Sequence, residues 1–190
     1  MSPPQLTKEY FEEWHPYDQL IKHNYMRHRE IIECLNRFAL SNHTNEVTLL
    51  ELGCGNAYVA PRAFGHLSNV HFTGIDFSGH ALQAAKKNLS ETSWKIELIE
   101  GDIELVISKL EFHFDIIMAG FSLHHFSYKP TQNILRHARR CLTDRGEVFV
   151  CDIVGRDGES KTDFLNRLVE GIDPKLNGLN SDQYESIKHH

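Results

Sequence analysis

At 190 residues, 41% hydrophobic and 24% charged, the chain has room for one domain with a sizeable core but not for two ordinary ones, and it is neither disordered nor fibrous in composition. Its net charge of −6 argues against a nucleic-acid-binding surface, because a phosphate backbone asks for an excess of lysine and arginine. No secretory or membrane-spanning apolar stretch is expected, and Cys34, Cys54, Cys141 and Cys151 stand far apart outside C-x-x-C spacing, which predicts reduced thiols in a cytoplasmic protein.

Taken in chain order, the first forty residues carry apolar positions at three- and four-residue steps: Phe11, Trp14, Tyr17, Leu20, Ile21 and Tyr25, then Ile31, Ile32, Leu35 and Phe38. Pro16 divides this pattern into a short helix and a longer one, since proline lacks the amide donor of a helix interior. From Val47 strands and helices alternate. The predicted strands are Val47–Leu52, Val70–Ile75, Trp94–Ile99, Phe114–Ala119 and Glu147–Ile153. Between and after them, helices are expected at Tyr58–Leu67, Gly79–Leu89 with Ser78 as N-cap, Ile103–Leu110, Thr131–Cys141 and about Ser160–Glu170. This alternation predicts an α/β fold: a doubly wound sheet of about five parallel strands with helices on both faces. The expected organisation is an N-terminal helical lid over 1–45, an α/β domain over 46–171 and a tail over 172–190.

The most informative stretch is Leu49-Leu-Glu-Leu-Gly-Cys-Gly-Asn-Ala57, a buried strand that opens into a tight glycine turn. Glycine belongs where the backbone turns with unusual dihedrals or presses against a ligand. Open α/β sheets hold their ligands at the carboxyl ends of strands, beside helix N-termini. Asp76 ends the second strand about 20 residues beyond the glycine turn, where a nucleotide site places an acid for ribose hydroxyls. Asp102 puts a second carboxylate at the end of the third strand, suited to an adenine amino group. Each acid alone also reads as a helix cap. The thirteen histidines show no ligand spacing such as H-E-x-x-H, so no metal site is expected.

From about Val47 to Ile153 the chain resembles the class I S-adenosylmethionine-dependent methyltransferases, with a Rossmann-like sheet. The resemblance assigns Glu51, Gly53, Cys54 and Gly55 to the glycine motif whose backbone holds the methionine and ribose end of S-adenosylmethionine. It assigns Asp76 to the ribose, Phe77 to the apolar wall at adenine, and Asp102 with Ile103 to the adenine edge. Phe114-Asp-Ile-Ile-Met-Ala119 matches the strand that walls the pocket, and Leu142-Thr-Asp-Arg-Gly-Glu-Val the lead into the fifth strand. Leu123-His124-His125 is similar to the segment after the fourth strand in small-molecule members, including the ubiquinone/menaquinone-biosynthesis type. The chain departs from the pattern at Ala57, where the family usually has a third glycine.

Methyl transfer asks chiefly for alignment of donor and acceptor, and for a base only when the acceptor must lose a proton. His124 and His125 are the candidate catalytic residues, as a base or as an orienter of the acceptor. Trp14, Tyr17 and Tyr25 are candidate lid residues over a small-molecule methyl acceptor, and Arg27 a candidate for the cofactor's carboxylate. Two rivals stand beside this reading. A nicotinamide dinucleotide-binding domain shares the glycine loop and ribose acid, but its G-x-G-x-x-G fingerprint would need glycine where Tyr58 stands, and it leaves Asp102 unexplained. A methyltransferase-like binding module without catalysis would carry the same cofactor residues. After Ile153 no Val- or Ile-rich alternating run remains for two further strands, so the chain reads as a fragment or truncation. Strand five is then an exposed edge, expected to be covered by the C-terminal segment or by another copy in a homodimer.

Overall fold

A computed structural model describes residues 20–42 and 46–169. Of these, 31–153 form one compact unit, and the residues before 31 and after 153 belong to a second. The larger unit is built on five parallel strands: β1 (Val47–Leu52), β2 (Val70–Asp76), β3 (Lys95–Glu100), β4 (Phe114–Gly120) and β5 (Leu142–Cys151). Their order in the sheet is β3-β2-β1-β4-β5. The chain walks outward from β1 to β3 and then returns to β4 on the other side of β1. That reversal opens a crevice outside the carboxyl ends of β1 and β4, the place where such sheets bind ligands.

β1 is buried except at the half-buried Thr48, as suits a central strand covered on both faces. Leu49 points into a core shared with Ala60, Ala63 and Phe64 of α2 (Val59–Phe64), Leu82, Ala85 and Leu89 of α3 (Gly79–Leu89), and Leu35 and Ala39 of α1 (His28–Asn42). Leu50 and Leu52 enter a second core with Ile103 and Ile107 of α4 (Ile103–Ile107) and Ile134 and Ala138 of α5 (Tyr128–Arg140). Two helical layers therefore cover opposite faces of the sheet. Truncating one of these fully buried leucines would cost roughly 2–5 kcal/mol.

Most expected elements stand within a few residues of their predicted bounds, and Ser78 caps α3 by accepting the Ala81 N–H at 3.2 Å. Three corrections follow. The long N-terminal helix does not run through Tyr25: the chain turns over 23–26, and Asn24 and Arg27 take left-handed φ of 58° and 59°. Asn24 tolerates that conformation, and its side-chain oxygen accepts the Arg29 N–H at 2.9 Å, starting α1 afresh. Helix α5 begins at Tyr128, with Pro130 accommodated in its first turn. β5 begins at Leu142 rather than Glu147, because Leu142 already pairs with Phe114 before a register shift restores pairing at Glu147 with Ile116.

β5 pairs with β4 and forms the sheet edge, with Val148 36% and Val150 51% exposed. Residues 170–190, expected to help cover this edge, lie outside the described residues, as do Trp14 and Tyr17. In the smaller unit, α6 (Lys161–Val169) carries Arg167, which pairs with Glu159 at 2.7 Å. No described helix is long and apolar enough to cross a membrane.

Candidate functional site at the carboxyl end of the sheet

Where β1 ends, Gly53 and Gly55 take left-handed φ of 70° and 53°. A Cβ on Gly53 would also collide with Cβ of Ser122, which follows β4. Both conformation and space therefore demand glycine there. Ala57 adopts the same left-handed region, φ 51°, while fully buried. The missing third glycine is thus met by a strained alanine rather than by a different loop, at a cost of about 1 kcal/mol.

The loop's own N–H groups turn inward. Those of Gly53 and Cys54 go to the Ile75 carbonyl at 2.8 and 3.0 Å, and that of Gly55 goes to Asp76 Oδ2 at 2.8 Å. Asp76 Oδ1 accepts the Ser78 N–H at 2.9 Å. Asp76 is therefore the clasp between the glycine loop and the end of β2, and with the Phe77 N–H also bonded to it the carboxyl still keeps acceptor capacity for an outside donor. Burial raises its carboxyl above the usual carboxylate range, against the lowering effect of these backbone N–H groups.

Glu51 is 4% exposed, and its Oε2 has no hydrogen-bond partner among the described residues. Burial first, and the neighbouring Asp76 charge second, push its carboxyl up to about 8. The same surroundings keep the buried Cys54 thiol protonated. A buried carboxyl without a partner costs free energy unless something completes it. At the next strand end, Asp102 caps α4 by accepting the Leu105 N–H at 3.1 Å, with Ile103 buried beside the glycine loop. Phe77 is half-buried after β2, and Ala119 lies in the core on the α4–α5 face. Arg27 belongs to the smaller unit and pairs with Glu30 at 3.1 Å, and Tyr25, in the same unit, sits near the His23 ring.

The other half of the rim is built after β4. Phe121 takes a left-handed φ of 54°, Ser122 Oγ donates to the Leu52 carbonyl at 2.7 Å, and a short 3-10 turn follows over Leu123–His125. Strained non-glycine backbone of this kind gathers at functional sites. His124 and His125 stand with ring centroids 4.0 Å apart. His124 Nδ1 is 2.6 Å from Oδ1 of Asp152, the residue that follows β5. Asp152 Oδ2 accepts the N–H groups of Leu123 and His124, both at 3.0 Å. Burial alone would raise this carboxyl, but the hydrogen bond and charge of His124 and the backbone N–H groups outweigh it and hold it below the usual range.

Asp152 was not singled out from the sequence. The signal was there: an acid directly after an apolar parallel strand, as Asp76 is after β2. What the sequence lacked was its pairing, which joins residues 28 positions apart.

Residues 50–148 match a family model described as a methyltransferase domain, which covers just over half of the chain. The chain belongs to this methyltransferase family. The match decides against the dinucleotide-binding alternative. Malonyl-[acyl-carrier protein] O-methyltransferase of Priestia megaterium is 26% identical over 95 residues, which is 50% of this chain and 33% of that protein. Ribosomal RNA small subunit methyltransferase C of Cronobacter sakazakii is 29% identical over 114 residues, 58% of this chain and 32% of the relative. The chain thus spans about a third of the length of these curated relatives. Among solved structures, SAM-bound CalS10, an amino pentose methyltransferase from Micromonospora echinaspora, aligns with a TM-score of 0.54 at 17% identity, over 68% of this chain and 52% of its own. That likeness shows the fold.

Proposed function

We propose that the chain binds S-adenosylmethionine at the carboxyl ends of β1–β3 and transfers its methyl group to a small-molecule acceptor. The observation that carries this reading is the unpartnered, buried Oε2 of Glu51, set beside Asp76 at the mouth of the glycine loop in a methyltransferase fold. A cationic amino group is the natural partner for such a carboxyl, and the cofactor carries one. When bound, the cofactor also supplies an electrophilic methyl on a sulfonium, so the protein's work is mainly alignment.

The remaining residues fit the same ligand. Asp76 has acceptor capacity left for the ribose, and its backbone bonds fix the carboxyl's direction before the ligand arrives. Gly53, Cys54 and Gly55 let the ligand approach the backbone closely. Phe77 and Ile103 give apolar surface for adenine, with Asp102 at its edge and Ala119 as the small residue in the wall. His124 and His125, on the turn after β4, are the proposed contacts of the acceptor. The acidic balance of the chain, −6, favours a small acceptor over RNA. The four free cysteines suit a reducing, cytoplasmic setting.

Mass spectrometry of S-adenosylhomocysteine formed on incubation with S-adenosylmethionine and a panel of small acceptors tests the reading. Acceptor-dependent product is expected. Cofactor binding without product from any acceptor would support the silent module instead.

A further inference from the structure

We propose that Cys34 and Cys151 form a redox-modification site: a peroxide oxidises the pair to a disulfide that fastens α1 to the carboxyl end of β5, and a thiol reductant releases it. Both residues belong to the larger unit, and their pairing does not depend on which cofactor or acceptor the chain uses.

α1 and β5 meet through Phe38 and Phe149, whose rings stand edge to face with centroids 4.6 Å apart. Both rings pack on the core that α1, α2 and α3 share with the sheet. Only residues 43–46 separate the end of α1 from the start of β1, so α1 runs against the strand direction. Going back four residues from Phe38 reaches Cys34 on the same side of the helix, about 6 Å nearer the carboxyl rim. Going forward two residues from Phe149 reaches Cys151 on the same face of the strand, about 6.6 Å nearer that rim. The two thiols therefore come level on facing surfaces, one step beyond the aromatic contact. Their closeness shows at Cys151, whose thiol is pushed up by burial first, then by the Asp152 charge and by that of Cys34. The backbone is held at both positions. Cys34 lies inside α1, and Cys151 pairs with Gly120 while its carbonyl accepts the Phe121 N–H at 2.8 Å.

Exposure divides the work between the two thiols. Cys34 is exposed and meets the oxidant, whereas Cys151 is half-buried and resolves the product. In the first step the Cys34 thiolate attacks one oxygen of hydrogen peroxide. The O–O bond breaks, Cys34 becomes a sulfenic acid, and the departing hydroxide takes up a proton and leaves as water. In the second step the Cys151 sulfur loses its proton and attacks the Cys34 sulfur. The S–O bond breaks, a second water leaves, and the S–S bond is made. The two thiols have given up two electrons, and the peroxide has received them. Cys54 and Cys141 are buried and stay outside this exchange. The bond forms at the rim itself, since the next residue, Asp152, accepts the N–H groups of Leu123 and His124 at 3.0 Å.

The test treats the full chain with a small excess of hydrogen peroxide, blocks the remaining thiols by alkylation and digests with trypsin. Mass spectrometry is expected to find residues 30–37 joined to residues 146–156, and dithiothreitol to separate them again. Because the bond closes the long loop from 34 to 151, oxidation should raise Tm by roughly 5–15 °C in the parent. Neither Cys34→Ser nor Cys151→Ser should show that rise. The link itself is read in the parent, whatever the variants do. Links through Cys54 or Cys141, dimers joined through Cys34 alone, or a Cys34 that runs on to sulfinic acid without linking would each overturn the proposal. A linked chain that melts where the reduced parent does would overturn the fastening of α1.

Discussion

Glu51 at the end of β1 and Asp152 just past the end of β5 stand on the same rim of one sheet and are in opposite electrical states. Burial and the nearby Asp76 push Glu51 up to about 8, whereas at Asp152 the hydrogen bond and charge of His124 outweigh burial and hold the carboxyl down. The difference is where the partner comes from. Asp152 finds its imidazole and its N–H groups within the chain, so that half of the rim is complete as folded. Glu51 has a buried oxygen that no described residue satisfies, and on the proposed reading a ligand completes that half. On the proposed reading, the acid raised by burial is the one a cationic ligand would complete, and the acid lowered by its partner is already assembled.

The sharpest break between the halves should come from His124→Ala. We expect turnover to fall roughly 10²–10⁴-fold, as for loss of a general base, with cofactor affinity unchanged. Single-turnover transfer of labelled methyl, set beside titration of S-adenosylmethionine, checks this. A loss confined to cofactor affinity would place His124 in the wrong half.

The Glu51 half is expected to show itself through pH. Folded, Glu51 keeps its proton up to about 8, while the unfolded chain releases it near 4.5. The folded state therefore binds the extra proton between those values, and this part of the stability, roughly a few kcal/mol, is present below about 4.5 and lost as pH climbs through 8. Thermal unfolding across that range should show the decline in the parent and a flatter profile in Glu51→Gln. An identical decline in the variant would mean that Glu51 is not the group responsible.

A smaller effect is expected at Ala57, whose left-handed backbone suits glycine. Ala57→Gly relieves about 1 kcal/mol of strain but loses a comparable amount to the freer unfolded chain, so Tm should stay level or rise slightly. A clear fall in Tm would show that the buried methyl group earns more than the strain costs.

How much of this was legible in the sequence follows the same division. The glycine turn, Asp76 and Asp102 lie at ends of apolar runs whose period marks them as strands, so local pattern placed them at the rim. The sheet was legible for the same reason, because alternating strands and helices allow few topologies. Local pattern could not reveal that Asp76 clasps Gly55, nor that Gly53 and Cys54 turn their N–H groups to Ile75, since those bonds join separate strands. The His124–Asp152 pair is wholly a product of β4 lying beside β5. Apolar spacing continues across Asn24, so it did not show that the left-handed backbone there breaks the helix and that the Asn24 side chain starts the next one.

Calorimetric titration of S-adenosylmethionine into the parent chain and into Asp76→Ala tests the central claim most directly. The account predicts one site in the parent and weakening by roughly 1.5–3 kcal/mol per lost charge-assisted hydrogen bond in the variant. Absence of binding to the parent, or equal affinity in the two, would contradict it.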